Sequence, residues 1–383
     1  LEYINSRPGD SRAVFWEVGN ENYNAGPVAY LEQSTLDPTE YAARYSRFSH
    51  ALKSADSTIK VGAISDLGLG SNVTEAYRDW TRNALNQIDA TVDFVAVHNA
   101  YAPMIVVDKG EDLREVYRAM LAAPLLVKES LERLDRTIAQ TLVKNGQSPF
   151  VAVTEWGPAF HISPESRYVD HVKTLGSALY VASVMKVFVE HPSVEVANFF
   201  KLVDPLWSGA IGKRGDKFAE TAPYFALQLF SRHFGDELVG NRVRSPVFSS
   251  GAAGWVKAVN EVPYLEAVSS LDDDHTQLDI LVINKHFEKP ILGSIDLEGF
   301  TPSANITVRT LSGTGIDAHT GTEVFQAPGI EWARQETDAA NPRFRKGGPS
   351  EVSLTTSSME VGGASFDYAF PAHSVTLLSL PRR

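Results

Sequence analysis

Two short stretches of this sequence bring together residue types that can do chemistry. Phe15-Trp16-Glu17-Val18-Gly19-Asn20-Glu21-Asn22 and Val153-Thr154-Glu155-Trp156-Gly157-Pro158 each carry a glutamate just after an apolar run, with a tryptophan close by. Two carboxyl groups that face each other can cleave an acetal. One protonates the leaving oxygen, and the other attacks the anomeric carbon or activates water. A separation of about 5–5.5 Å marks the retaining route and roughly 6.5–9.5 Å the inverting one. Tryptophan adds a flat apolar face on which a sugar ring can stack. Glu17, one strand-turn before Glu21, reads as a hydrogen-bonding support, and Trp16 as packing.

Glu21 and Glu155 are far apart in sequence, so the elements between them must bring them together. Five short runs rich in Val, Ile, Phe or Ala read as buried parallel strands: Ala13–Trp16, Ile59–Ala63, Val92–Val97, Phe150–Thr154 and Val194–Leu202. Helical stretches separate them. Asp37-Pro38-Thr39-Glu40 offers an N-cap, a first-turn proline and an acidic third position, and Asn72 with Glu75 repeats the capping signal. The first of these helices should place Tyr41, Tyr45, Phe48 and Leu52 on one face. Residues 111–144 and 164–190 read as longer helices. Strand and helix in alternation predict an α/β fold with a parallel sheet, whose chemistry sits at the carboxyl ends of the strands.

After residue 235 the pattern becomes short and strand-like: Val243–Phe248, Gly254–Val259, Leu278–Ile283, Ile291–Leu297, Ile306–Thr310, Ser353–Leu354 and Val375–Leu380. Gly, Pro, Asn and Asp punctuate these runs at intervals near those of a β-sandwich. The expected domains are 1–235, α/β, and 236–383, all-β. Residues 329–352 read as a surface loop or long hairpin.

Composition narrows the chemistry. The net charge of −12 argues against a nucleic-acid partner and is compatible with a neutral one. With no cysteine, disulfides, thiolate metal sites and a cysteine nucleophile are excluded. No apolar run is long enough for a helical membrane span, and residues 1–12 do not read as a signal peptide. Localisation stays open, a secreted or periplasmic site being favoured over the cytoplasm. His161 and Glu165 make a poor ligand pair, so no metal is expected. His161, His171 and His191 read as structural or exposed. Leu271-Asp272-Asp273-Asp274-His275 lacks the spacing of a calcium loop and reads as a solvated turn. Ser312-Gly313-Thr314-Gly315 lacks the context of a phosphate loop. No Gly-x-Ser-x-Gly elbow is present.

Trp16-Glu17-Val18-Gly19-Asn20-Glu21 resembles the acid/base motif of the clan A glycoside hydrolases, which ends barrel strand four. Thr154-Glu155-Trp156-Gly157 resembles their nucleophile motif, at the end of strand seven. With the β-rich C-terminal part after Pro223-Tyr224-Phe225-Ala226, the closest resemblance is to the family 51 α-L-arabinofuranosidases. It implies a retaining enzyme without cofactor that releases α-L-arabinofuranosyl residues from carbohydrate, with Glu21 as acid/base and Glu155 as nucleophile. A β-xylosidase or endo-glucanase of the same clan, or an inactive carbohydrate-binding remnant, are the alternatives. Asn20 would hydrogen-bond the sugar 2-hydroxyl. His98 and Tyr101, after the run matching strand six, would be the family's His/Tyr pair. A satisfied core histidine is the alternative reading of His98. Trp156 and Trp207 are candidates to line the sugar pocket, and Trp207 reads equally as core. The family is often oligomeric, which leaves a homo-oligomer open. Only Leu1-Glu2-Tyr3-Ile4-Asn5 matches the region before strand four. The expected architecture is therefore a (β/α)8 TIM barrel lacking its first strands, about five being present, followed by a C-terminal β-sandwich.

Overall fold

The five apolar runs form five strands: β1 (Phe15–Val18), β2 (Lys60–Ser65), β3 (Phe94–Ala102), β4 (Phe150–Pro158) and β5 (Val194–Phe199). The computed structural model describes residues 13–23, 35–66, 75–102, 112–160, 169–203, 208–214, 216–321 and 349–383. The strands make one sheet in sequence order, with β1 on β2, β2 on β3 and β4 on β5 parallel. β2 and β3 bury nearly every described residue, as inner strands of a parallel sheet must. The last strand ends earlier than its apolar run. The backbone of Lys201 and Leu202 instead accepts hydrogen bonds from Ala210 (2.9 Å) and Ile211 (2.7 Å).

The helices are α1 (Pro38–Ala55), α2 (Glu75–Gln87), α3 (Leu113–Thr141), α4 (Leu175–Glu190) and α5 (Ala222–His233). The Asp37 carboxylate caps α1, accepting from Thr39 N at 2.9 Å and Glu40 N at 3.0 Å, a contribution of about 1 kcal/mol. The buried face of α1 is Tyr41, Ala42, Tyr45 and Ser49. Phe48 lies outside it at 58% exposure, contrary to expectation. The helix is anchored by polar contacts: the Ser49 hydroxyl donates to Thr91 O at 3.0 Å, and the Tyr45 hydroxyl shares its proton between Val61 O (3.1 Å) and Thr91 O (3.0 Å). The region read as helical from 164 becomes α-helical only at Leu175, after a 3-10 turn over Val169–Lys173. There Leu175 N and Gly176 N donate to Ala318 O and Ile316 O, so the helix's first free donors meet a loop of the β-rich region.

The chain divides into two units. The first comprises Leu1–Ala100, Leu126–Trp156 and His191–Phe199; the second comprises Tyr101–Leu125, Gly157–Glu190 and Phe200–Arg383. The second unit carries the remaining strands. They are β6 (Ile211–Arg214), β7 (Lys217–Glu220), β8 (Glu237–Val239), β9 (Val247–Ser250), β10 (Val259–Pro263), β11 (Leu265–Leu271), β12 (Gln277–Asn284), β13 (Ile291–Asp296), β14 (Asn305–Gly313), β15 (Val352–Glu360), β16 (Ser365–Phe370) and β17 (Ser374–Pro381). Six of them form an antiparallel sheet in the order β15-β14-β17-β12-β11-β8. One face packs Leu278, Ile280, Val308 and Leu378 against Ile291, Ile295 and Phe366 of the β13–β16 ladder. Helix α4 lies against β11, β12 and β17. Most of the loop read over 329–352 lies outside the described residues.

Strands β6, β7, β8, β11 and β16 escaped the sequence reading. In β11 the reason is visible: Glu266 interrupts the apolar run. Its carboxylate is buried against Lys285, whose ammonium lies 2.8 Å away and also donates to Leu121 O at 2.9 Å. Burial holds the Lys285 ammonium below the ordinary lysine range, with Glu266 opposing that shift.

Candidate active site

Strand β1 leads into a tight turn that fixes Glu21. Gly19 adopts φ 102°, and a Cβ there would overlap the Asn22 side-chain oxygen. That oxygen accepts from Asn20 N at 3.2 Å. Glu21 itself sits at φ 50°, in the left-handed region that a non-glycine residue enters at a cost of about 1–3 kcal/mol. Behind the turn, the buried Tyr41 hydroxyl donates to Val18 O at 2.9 Å and accepts from Ile64 N at 2.8 Å, tying the ends of β1 and β2 together.

Glu155 is placed by a bulge. Val153 pairs with Ala197 and Trp156 with Phe199, so three steps along β4 match two along β5. One extra residue re-aims a strand locally, and Glu155 lies within it. His98, on β3, completes the cluster.

The His98 side chain is 5% exposed and lies among three carboxylates. Its Nδ1 is 2.9 Å from Glu21 Oε1 and 3.7 Å from Glu155 Oε2, and its Nε2 is 3.6 Å from Glu17 Oε1. Burial alone would lower the imidazole pKa. Glu17, Glu21 and Glu155 outweigh it and push the group up to about 10, so the ring is an imidazolium at neutral pH. One oxygen of Glu21, one of Glu155 and a ring nitrogen of His98 all lie within 4.8 Å of one another. Such a trio has the spacing of a metal site, which would need the neutral His98 ring as ligand; the imidazolium instead donates from both nitrogens. The imidazolium already supplies the positive charge a cation would bring.

The remaining expected residues stand as follows. Asn20 is exposed on the turn. Trp156 is fully buried, edge-on to Phe199 at 5.2 Å between ring centres. Tyr101 belongs to β3, its side chain outside the described residues, and Trp207 and His161 lie outside them altogether. His171 is buried with Nδ1 2.7 Å from the Tyr117 hydroxyl, and His191 is buried with Nδ1 3.1 Å from the Ser193 hydroxyl.

Tyr23 was missed by sequence reading. Its ring packs edge-on against Trp80 at 5.8 Å. Its phenol is held well above the ordinary tyrosine range, by burial first and then by the charges of Glu21, Asp66, Glu155 and Glu17. An aromatic residue two positions after a candidate acid was the available signal.

Residues 154–330 match the family model of the alpha-L-arabinofuranosidase C-terminal domain. The chain is 24% identical over 392 residues to the probable alpha-L-arabinofuranosidase C of Aspergillus clavatus, across 99% of this chain and 67% of that protein. Its fold superposes on the crystal structure of the α-L-arabinofuranosidase from Thermotoga maritima in complex with arabinose. The TM-score is 0.74 at 22% identity, over 98% of this chain and 68% of that one. The chain is similar to the family 51 α-L-arabinofuranosidases. The likeness extends to a family 44 xyloglucanase of Paenibacillus polymyxa, with TM-score 0.61, 14% identity, and 98% and 67% of the two chains covered. The chain thus spans about two thirds of the length of these three proteins. In this chain the α/β part carries Glu21 and Glu155, and a β-rich region follows.

Proposed function

We propose that the chain carries the catalytic pair of a retaining glycoside hydrolase that releases α-L-arabinofuranosyl residues from plant polysaccharides or oligosaccharides. The observation that carries this is the approach of Glu21 and Glu155, remote in sequence, to within 4.8 Å through one oxygen each. That is near the spacing of about 5–5.5 Å for a double displacement and short of the roughly 6.5–9.5 Å of an inverting pair. Glu155 attacks the anomeric carbon from one face of the sugar. Glu21 protonates the leaving oxygen, then takes a proton from the water that breaks the glycosyl–enzyme bond. The His98 imidazolium keeps the two acids close despite their like charge. In this reading Asn20, exposed on the turn that carries Glu21, hydrogen-bonds the sugar 2-hydroxyl. In this reading the five parallel strands are part of a (β/α)8 barrel, and the β-rich region is a sandwich.

The test is the nucleophile. Glu155→Ala should lose turnover of 4-nitrophenyl α-L-arabinofuranoside by several orders of magnitude. Azide should restore release of nitrophenol by forming the glycosyl azide. A folded variant that azide does not rescue counts against the assignment. The xyloglucanase likeness motivates a second substrate reading within the same mechanism. A panel that includes xylosides and glucan oligosaccharides separates the two.

A further inference from the structure

A cavity of about 230 Å³ lies in the second unit, where the start of α3 meets the turn after β12. Arg114, Arg118 and Lys289 line it, together with Tyr264 and His286. The volume falls below the roughly 300–1,000 Å³ of sites for larger ligands, so a single ring fits it and an oligomer does not.

Its walls combine two recognition chemistries. The first is aromatic. Phe248, Tyr264 and His286 form a ladder with ring centres 4.9 and 4.8 Å apart and tilts of 37° and 32°. The second is cationic, on a chain whose net charge is −12. Arg114 pairs with Glu288 at 2.7 Å and Arg118 with Glu115 at 2.8 Å. All four of these side chains are more than a third exposed, so the pairs are weak and exchangeable. Among the described residues no carboxylate lies within ion-pair distance of the Lys289 ammonium.

His286 adds a donor. Its Nδ1 accepts from Glu288 N and Lys289 N, both at 3.1 Å, which puts the proton of the neutral ring on Nε2. Burial keeps the ring neutral by lowering its pKa; Lys289 and Arg114 reinforce this and Glu288 opposes it. Two neighbouring cations acting in one direction mark a locally positive field.

A bare inorganic anion would make no use of the ring ladder, and a neutral sugar no use of the cations. We propose that this cavity binds an acidic sugar, a single hexuronate ring lying against the aromatic wall that Tyr264 and His286 line, with its carboxylate held by Arg118 and Lys289. The choice of a sugar rests on the carbohydrate reading given above. The cavity's geometry does not.

The test is calorimetric titration at low salt with D-glucuronate, D-glucose and inorganic phosphate. The wild type should bind glucuronate saturably, at least tenfold more tightly than glucose or phosphate. Tyr264→Ala and Lys289→Glu should each weaken glucuronate at least fivefold. Lys289 is exposed, so its substitution leaves the fold intact if Tyr264→Ala does not. Glu155→Ala should bind glucuronate as the wild type does. No saturable glucuronate binding, equal binding of phosphate, or indifference to Lys289→Glu overturns the proposal. Glucuronate binding by a chain that hydrolyses no arabinoside would sink the proposed activity and leave this site standing.

Discussion

Three carboxylates packed around one spot repel each other unless something positive lies between them, and His98 is that something. Its proton is worth most to the folded state where the unfolded chain would also hold it. The folded pKa, about 10, exceeds the ordinary value of 6.5. The contribution to stability is therefore full below pH 6.5, and is lost as the pH rises through about 10. We expect His98→Phe to cost a few kcal/mol at pH 6, on the scale of breaking a buried charge network, and much less near pH 10. Urea unfolding of the wild type and the variant at the two pH values measures this. Equal losses at both would show that packing, not charge, is what His98 supplies. From sequence this position reads as a site residue with a core histidine as the alternative, because burial and function demand the same neighbours until the acids are located.

At the scale of elements, the site depends on two irregularities: the turn at Gly19–Asn22 and the bulge that holds Glu155. Gly19→Ala adds a Cβ where φ is 102° and the Asn22 side-chain oxygen already stands. We expect activity to fall about 100-fold, the penalty for misplacing a reacting group by an ångström. The variant should still fold, with thermal unfolding lowered by the roughly 1–3 kcal/mol of a strained left-handed residue. Normal activity in this variant would mean that the turn does not set the position of Glu21. The two glutamate motifs were legible because they follow apolar runs, and the five strands were legible from those runs. The bulge was not, since a register shift is a property of two paired strands. Burial of Glu266 was equally hidden, its partner Lys285 being remote in sequence. The exposure of Phe48 has a similar origin: hydroxyl-to-carbonyl bonds, not apolar spacing, decide which way α1 faces.

Across the whole molecule, the Lys285–Glu266 pair is a buried ion pair whose removal in halves should hurt and whose removal entire should not. Lys285→Met leaves a carboxylate buried without its partner, and is expected to cost about 3–5 kcal/mol in urea unfolding. Adding Glu266→Leu should recover most of that. A double variant as unstable as the single one would deny that the ionic contact is the source. The succession of α/β and then β-rich sequence was legible from composition and periodicity. How the segments are allotted to units was not, since it follows from long-range contacts. Leu121 and helix α4 share a unit with the β-rich region, while the intervening Leu126–Trp156 and the later His191–Phe199 belong to the other. The polypeptide is thus threaded back and forth, and no single cut frees either half whole. A fragment beginning after α5 would keep its six strands. It would lack the helix that keeps one sheet face dry and the carbonyl that receives a Lys285 proton. Gene truncation would therefore yield a sticky product, and point substitution is the cleaner scalpel.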